Sequence, residues 1–141
     1  MATYQKFNAF VEYLLITKSI DFDADAFKVM LTNTAPVSTN SVKADLTEIS
    51  AGNGYTAGGT ATTISHSRST GTSKIVGTDV VFTASGGSIG PFRYAVLYDD
   101  TPISPADPLI GFWDYGSSIT LASGETFTVD FDATNGVFQL T

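Results

Sequence analysis

Three aspartates alternate along one short polar stretch, Asp21, Asp23 and Asp25. Alternate carboxylates open a calcium loop because each supplies oxygen to a hard cation. The EF-hand pattern then needs glycine directly after the third carboxylate and glutamate at its twelfth position. Ala26 and Thr32 stand there instead, so the stretch reads as a solvated acidic turn and no metal is expected. The chain has one histidine, His66, and no cysteine, which excludes a two-histidine or thiolate metal site and any disulfide framework. His66 lies among Ser and Thr in an expected strand and reads as structural or exposed, not as a catalytic base. Gly52-Asn53-Gly54 and Gly86-Gly87-Ser88 are glycine-rich, but no Lys-Ser/Thr follows to make a phosphate loop. The carboxylate pairs Asp99-Asp100 and Asp130/Asp132 could serve a glycosidase only if the fold set them 5–10 Å apart, and nothing in their spacing favours that. No catalytic residue, cofactor or metal is expected, and the chain reads as non-enzymatic.

The aromatic residues carry more information. Phe92, Tyr94, Tyr98, Phe112, Trp113 and Tyr115 fall on two expected neighbouring strands. Strict alternation puts Ile110, Phe112 and Asp114 on one face, and Leu109, Gly111, Trp113 and Tyr115 on the other. Both faces are then partly apolar. Either the strand is central between packed layers, or one face meets another subunit, or exposed Trp and Tyr stack on sugars.

Positioning these groups falls to a β-rich scaffold. From Asp79 onward the segments Asp79–Ala84, Arg93–Asp99, Leu109–Tyr115, Ser118–Leu121 with Thr126–Asp132, and Val137–Leu140 are rich in Val, Ile, Phe, Tyr and Trp. In Thr126–Asp132 the residues Phe127, Val129 and Phe131 alternate with Thr128, Asp130 and Asp132, the mark of a sheet buried on one face. Trp113 and Phe127 are expected in packed β-layers. Upstream, Ala26–Thr32 alternates with Phe27, Val29 and Leu31 inward, and Lys28 and Met30 outward. Thr60–Ser69 reads as a strand, Thr70-Gly71-Thr72 as a hairpin turn and Ser73–Gly77 as a further strand. Ser41–Ile49 has helical spacing with Ser41 as a plausible N-cap. Ala51–Gly59, with Gly at 52, 54, 58 and 59, requires tight turns or mobility.

Phe7, Phe10, Val11, Leu14 and Leu15 share one helical face, so a helix is expected from about Gln5 to Thr17, although Tyr4–Phe7 could be extended. The whole reads as one domain, residues 1–141: a short N-terminal helical or extended arm over 1–25, then an antiparallel β-sandwich or jelly-roll-like domain over 26–141. A net charge of −7 with only 15% charged residues argues against phosphate-directed nucleic-acid binding, which needs clustered Lys and Arg. Phe10–Ile16 is apolar but short and contains Glu12; a spanning helix needs about 20 apolar residues, and no signal-peptide pattern is evident. Neither a membrane nor a nucleic acid is an expected partner.

Several blocks resemble small structural proteins of tailed bacteriophages and prophages. They are Met1–Glu12, Val29–Pro36, Glu48–Tyr55, Phe82–Tyr94 and Trp113–Gly116, and the resemblance runs over nearly the whole chain. It implies a virion structural protein made in the host cytoplasm, most simply a capsid decoration, or cement, protein on the head shell. The major capsid protein and further copies of the chain, as a trimer, would be its partners. A tail or head-fibre component that binds host glycan is the alternative. On this reading Tyr4, Phe7, Phe10, Tyr13 and Leu14 form an interface, since they are more apolar than one short helix buries; capping of the sandwich core is the competing role. Tyr55, in the glycine-rich loop, and Trp113 complete the expected interface set.

Overall fold

A computed structural model describes residues 2–141. Its strands are β1 (Gln5–Lys6), β2 (Phe27–Thr32), β3 (Thr60–Thr62), β4 (Ile64–Ser69), β5 (Thr72–Gly77), β6 (Val80–Thr83), β7 (Ile89–Asp99), β8 (Leu109–Leu121), β9 (Thr126–Val129) and β10 (Phe138–Leu140). One helix, α1 (Ala9–Leu15), and one 3₁₀ turn, Lys43–Asp45, complete the set. The protein is mainly β and sandwich-like, with antiparallel pairing throughout.

A five-stranded sheet runs in the order β1-β8-β7-β2-β3, and two smaller sheets, β10-β5-β4 and β6-β9, accompany it. The main core joins one face of the large sheet (Phe27, Val29, Leu31, Ala95, Leu97, Ile110) to Val80, Phe82, Val129, Phe131 and Val137. A second cluster, Phe7, Met30, Tyr94, Val96, Tyr98, Leu109 and Phe112, lies on the opposite face, with Leu46 packed on it. Met30 faces away from Phe27, Val29 and Leu31, as alternation implies, but is buried on that side too. The irregular chain between β2 and β3 covers that second face. Lys43 stands over the Tyr98 ring, the Tyr98 hydroxyl donates to the Gly58 carbonyl at 2.6 Å, and the Thr32 hydroxyl donates to the Thr47 carbonyl.

Irregularities in β7 and β8 matter for the placement of aromatics. The pairing steps from Leu97↔Gly111 to Tyr98↔Leu109, so Ile110 is an extra residue and the alternation slips there. Ile110 joins the main core while Phe112 joins the second cluster; they do not share a face. Higher up, Tyr94↔Asp114 is followed by Phe92↔Ile119, which pushes residues 115–118 out of the ladder. Leu109–Leu121 is nonetheless one strand, so Ser118–Leu121 belongs to β8 and not with Thr126–Asp132.

The expected helix at Ser41–Ile49 is only the 3₁₀ turn, and Ser41 is not its cap. Asp45 instead reaches back to accept the backbone N–H groups of Ser41 (2.8 Å) and Val42 (3.2 Å). These bonds hold the Asp45 carboxyl below the usual carboxylate range. Thr60–Ser69 is interrupted at Thr63, which divides it into β3 and β4.

Candidate interaction surface

The N-terminal segment is extended at first and then helical, and it packs onto the β-domain. β1 pairs with β8 through Gln5↔Phe112 and Lys6↔Gly111, so Gln5 and Lys6 are extended and the helix starts only at Ala9. Phe7 is fully buried against Phe112, ring centroids 5.1 Å apart. Phe10 is buried among Phe22 and Phe138. Tyr4, Tyr13 and Leu14 are half-buried and packed on the main core. The Tyr4 ring lies over Gly111, where any side chain would displace it. Burial raises the Tyr4 hydroxyl's pKa above the ordinary tyrosine value.

Tyr55 is core as well. It stacks near Phe82, with centroids 5.7 Å apart. Its hydroxyl accepts the Leu31 N–H at 3.0 Å and donates to Glu48 Oε1 at 2.7 Å. That bond has a structural reason: β3 covers β2 only from Phe27 to Val29. Past that point Leu31 needs other partners, which Tyr55 and the Ile49 N–H supply. Of the expected interface set, Phe7, Phe10 and Tyr55 are thus buried inside the chain and cannot present surface. Trp113 is half-buried between Tyr4 (5.5 Å) and Phe131 (5.4 Å), and Phe127 is half-buried on Phe92 and Tyr115.

The expected common face is not buried as a whole, since two of its members remain exposed. Val11, Leu15 and Ile16 are open to solvent, Ile16 at 76%. The chain topology gathers further apolar side chains at that end. β1 leaves the large sheet there, β2 enters at Phe27, β7 leaves at Asp99 and β8 enters at Leu109. The connection between β7 and β8 carries Ile103, 90% exposed. The turn holding the exposed Val37 is tied to the helix start by Asn8 N–H donating to the Ser38 carbonyl, 2.9 Å. The same connections carry Glu12, Asp21, Asp23, Asp25, Asp100 and Asp107, with Lys18 as a cation, Lys28 paired to Asp100 at 2.8 Å, and Lys43, bonded through its N–H to the Asp107 carbonyl, paired to Glu48 at 3.4 Å. The connections at this end therefore carry both exposed apolar and acidic side chains.

The three alternating aspartates sit here and are occupied by their own turn. Asp21 Oδ1 accepts from the N–H groups of Asp23 and Ala24, and Asp25 Oδ2 accepts from Asp21 N–H. Among the described residues no group of three or more His, Cys, Asp or Glu is arranged to hold a metal ion.

A second feature is a cleft of about 170 Å³ lined by Arg93, Trp113, Tyr115, Phe127, Thr128 and Asp130, among others. The outward step of β8 presents Tyr115, which leans edge-on against Phe127 at 5.6 Å. Arg93 braces this step with two hydrogen bonds to Asp114, 2.7 and 2.9 Å. The guanidinium holds the Asp114 carboxyl below the usual range, with the Gly116 N–H adding to the effect.

One further spacing bears on catalysis: Gly86-Gly87-Ser88-Ile89-Gly90 matches Gly-x-Ser-x-Gly. A nucleophile elbow places its serine between a strand and a helix. Here the exposed Ser88 leads into β7, and no hydrogen bond connects it to His66, which is exposed on β4. Among the described residues no helix is long and apolar enough to cross a membrane. No protein-family model, curated protein or solved structure matches this chain.

Proposed function

We propose that the chain is a non-enzymatic virion protein of a tailed bacteriophage, of the capsid decoration type, made in the host cytoplasm. It binds the outside of the head shell and stabilises it. The end of the sandwich bearing Val11, Leu15, Ile16, Val37 and Ile103 is the shell-facing surface. That exposed apolar set is the observation that carries the reading, because side chains of this size left in water at one end mark association sites. The resemblance of Met1–Glu12, Val29–Pro36 and Phe82–Tyr94 to phage structural proteins supplies the partner, the major capsid protein. The acidic side chains of the same connections call for basic groups on that partner. Further copies of the chain, as a trimer, would sit on local threefold axes of the shell.

The test is co-sedimentation of the purified protein with isolated heads lacking it. A Leu15→Ser, Ile16→Ser double variant is expected to weaken binding at least 10-fold while melting as the wild type does. The side chains lie outside the core, and losing two hydrophobic anchors is worth on the order of 2–4 kcal/mol of association. Unweakened binding by the variant would remove this surface from the reading, and recovery of the native protein in tail fractions would remove the shell.

The cleft beside Tyr115 favours one second reading, a fibre component that stacks a host sugar ring on exposed aromatics. Trp113 is the sole tryptophan and lines that cleft, so its emission reports occupancy. On this reading host surface polysaccharide shifts the emission saturably, and Tyr115→Ala abolishes the shift. An unchanged spectrum across the titration rejects it.

A further inference from the structure

Asp99 ends β7 with no solvent exposure, 0%. Its Oδ1 accepts the Thr101 N–H at 3.0 Å. Its Oδ2 is, among the described residues, the one buried side-chain polar atom without a donor. A buried carboxylate oxygen left without a donor is costly. Asp25 lies beside it, because the Asp100 N–H donates to the Ala26 carbonyl and the Ala26 N–H to the Thr101 hydroxyl, which brings the two carboxyls within reach of each other. Two ionised carboxylates cannot share such a contact, whereas a carboxyl and a carboxylate can.

We propose that Asp25 and Asp99 share one proton, and that this proton latches the connection before β2 to the exit of β7. Asp99 Oδ2 carries the proton and donates it to Asp25, which satisfies the orphaned oxygen. The latch closes a joint whose other bonds are already in place: Asp100 N–H to the Ala26 carbonyl (2.8 Å) and Ala26 N–H to the Thr101 hydroxyl (2.7 Å). Opening it loosens the joint between residues 21–26 and the loop that carries Ile103.

A cation in place of the proton does not fit the donor count. Asp25 Oδ2 and Asp99 Oδ1 already accept backbone N–H groups. One oxygen of each carboxyl remains, whereas calcium takes six to eight ligands. The surrounding charges agree with a proton. On the β2 side Lys28 is paired with Asp100, Asp107 lies further along the loop, and the chain entering β8 brings Pro108, whose carbonyl accepts the Asp99 N–H, and Leu109. Among the described residues neither Asp25 nor Asp99 forms an ion pair, and Lys28 and Lys43 are held by Asp100 and Glu48. Burial first, then Asp25 and Asp100, hold the Asp99 carboxyl up at about 8.

The sign of the linkage follows. The folded state holds this proton to higher pH than the unfolded chain, whose aspartates titrate near 4. The latch's contribution is complete below about pH 4 and is lost as pH rises through about 8. Melting temperatures of wild type and Asp99→Asn across that range test it, because Asn supplies an N–H donor to Asp25 without needing a proton. The variant is expected to match the wild type near pH 4, to exceed it increasingly as pH rises, and to hold a constant advantage above about 8. Parallel curves would overturn the proposal. Carboxyl carbon NMR of the wild type reads the same proton without any substitution: Asp99 should titrate near 8, and titration in the ordinary aspartate range would also overturn it. So would calcium raising the wild-type melting temperature at high pH but not that of Asp99→Asn, since a cation would then be the bridge. If Asp99→Asn does not fold, Asp25→Asn serves, whose amide can donate to ionised Asp99. It should flatten the wild-type decline between pH 4 and 8, and an unchanged decline would count against the latch.

Discussion

A chain lacking residues 2–18 is expected to be unfolded, with no cooperative thermal transition. The deletion removes β1 from the edge of β8, and with it two fully or nearly fully buried phenylalanines, Phe7 and Phe10. Each belongs to a different cluster, one on either face of the large sheet. Truncating a buried phenylalanine to alanine costs about 3–5 kcal/mol. Losing both therefore removes about 6–10 kcal/mol, comparable with the whole stability of a domain. The loss of Tyr4, Tyr13 and Leu14 from the core margin adds to it. Circular dichroism during heating decides the matter. A truncated chain that still melts cooperatively would mean the two clusters close without their N-terminal side chains, and that the segment serves assembly alone.

The same segment shows where sequence is informative about this fold and where it stops. The spacing of Phe7, Phe10, Val11, Leu14 and Leu15 marks one amphipathic face, but the fold splits it: Phe7 and Phe10 are buried in different clusters, Leu14 is half-buried, and Val11 and Leu15 are exposed. Read as surplus apolar surface, the N-terminal residues look like an interface; in the structure the apolar side chains left exposed are Val11, Leu15 and Ile16. A helical spacing run through Phe7 misgroups them because Phe7 precedes the helix, which starts only at Ala9.

In the strands, Phe127, Val129 and Phe131 alternate with polar residues because that sheet is wet on one face, so their inward direction is legible. The burial of Met30 is not, because chain distant in sequence packs over it. The unbroken run Val29-Met30-Leu31 is the one hint, since strands covered on both faces lose their alternation. β8 misleads for another reason. Its outward step at Tyr115–Ser118 contains Gly116 and two serines, the composition of a turn, inside a continuous strand. The extra residue at Ile110 is set by pairing with β7 and leaves no local trace. The buried Asp99 looks from sequence like one half of an ordinary acidic pair. Its isolation is made by Asp25, 74 positions away in the chain, which no local pattern reports.

The loop Ala51–Gly59 supplies the second large effect. Its glycines leave open a mobile connection, yet Gly59 is held where no other residue fits. Its backbone is left-handed, φ +84°, and it lies directly before β3, against β2. A Cβ there would overlap the carbonyl carbon and oxygen of Val29 and the Cα of Met30. These are backbone atoms in the middle of a sheet, and no side-chain rotation can clear them. Gly59→Ala therefore combines two costs: roughly 1–2 kcal/mol for left-handed backbone in an L-residue, and about 1–3 kcal/mol for overpacking that must push β3 off β2. A loss of about 3 kcal/mol is expected in urea unfolding. Gly86 separates the two terms. It has a similar φ, +77°, but a methyl group added there would meet nothing within 4 Å, so Gly86→Ala should lose only the backbone share, about 1–2 kcal/mol. The difference between the two variants measures how firmly β3 is seated. Equal losses would mean that the chain around Gly59 relaxes freely, and that this loop is the adaptable connection its composition implies and not a fixed part of the sheet edge.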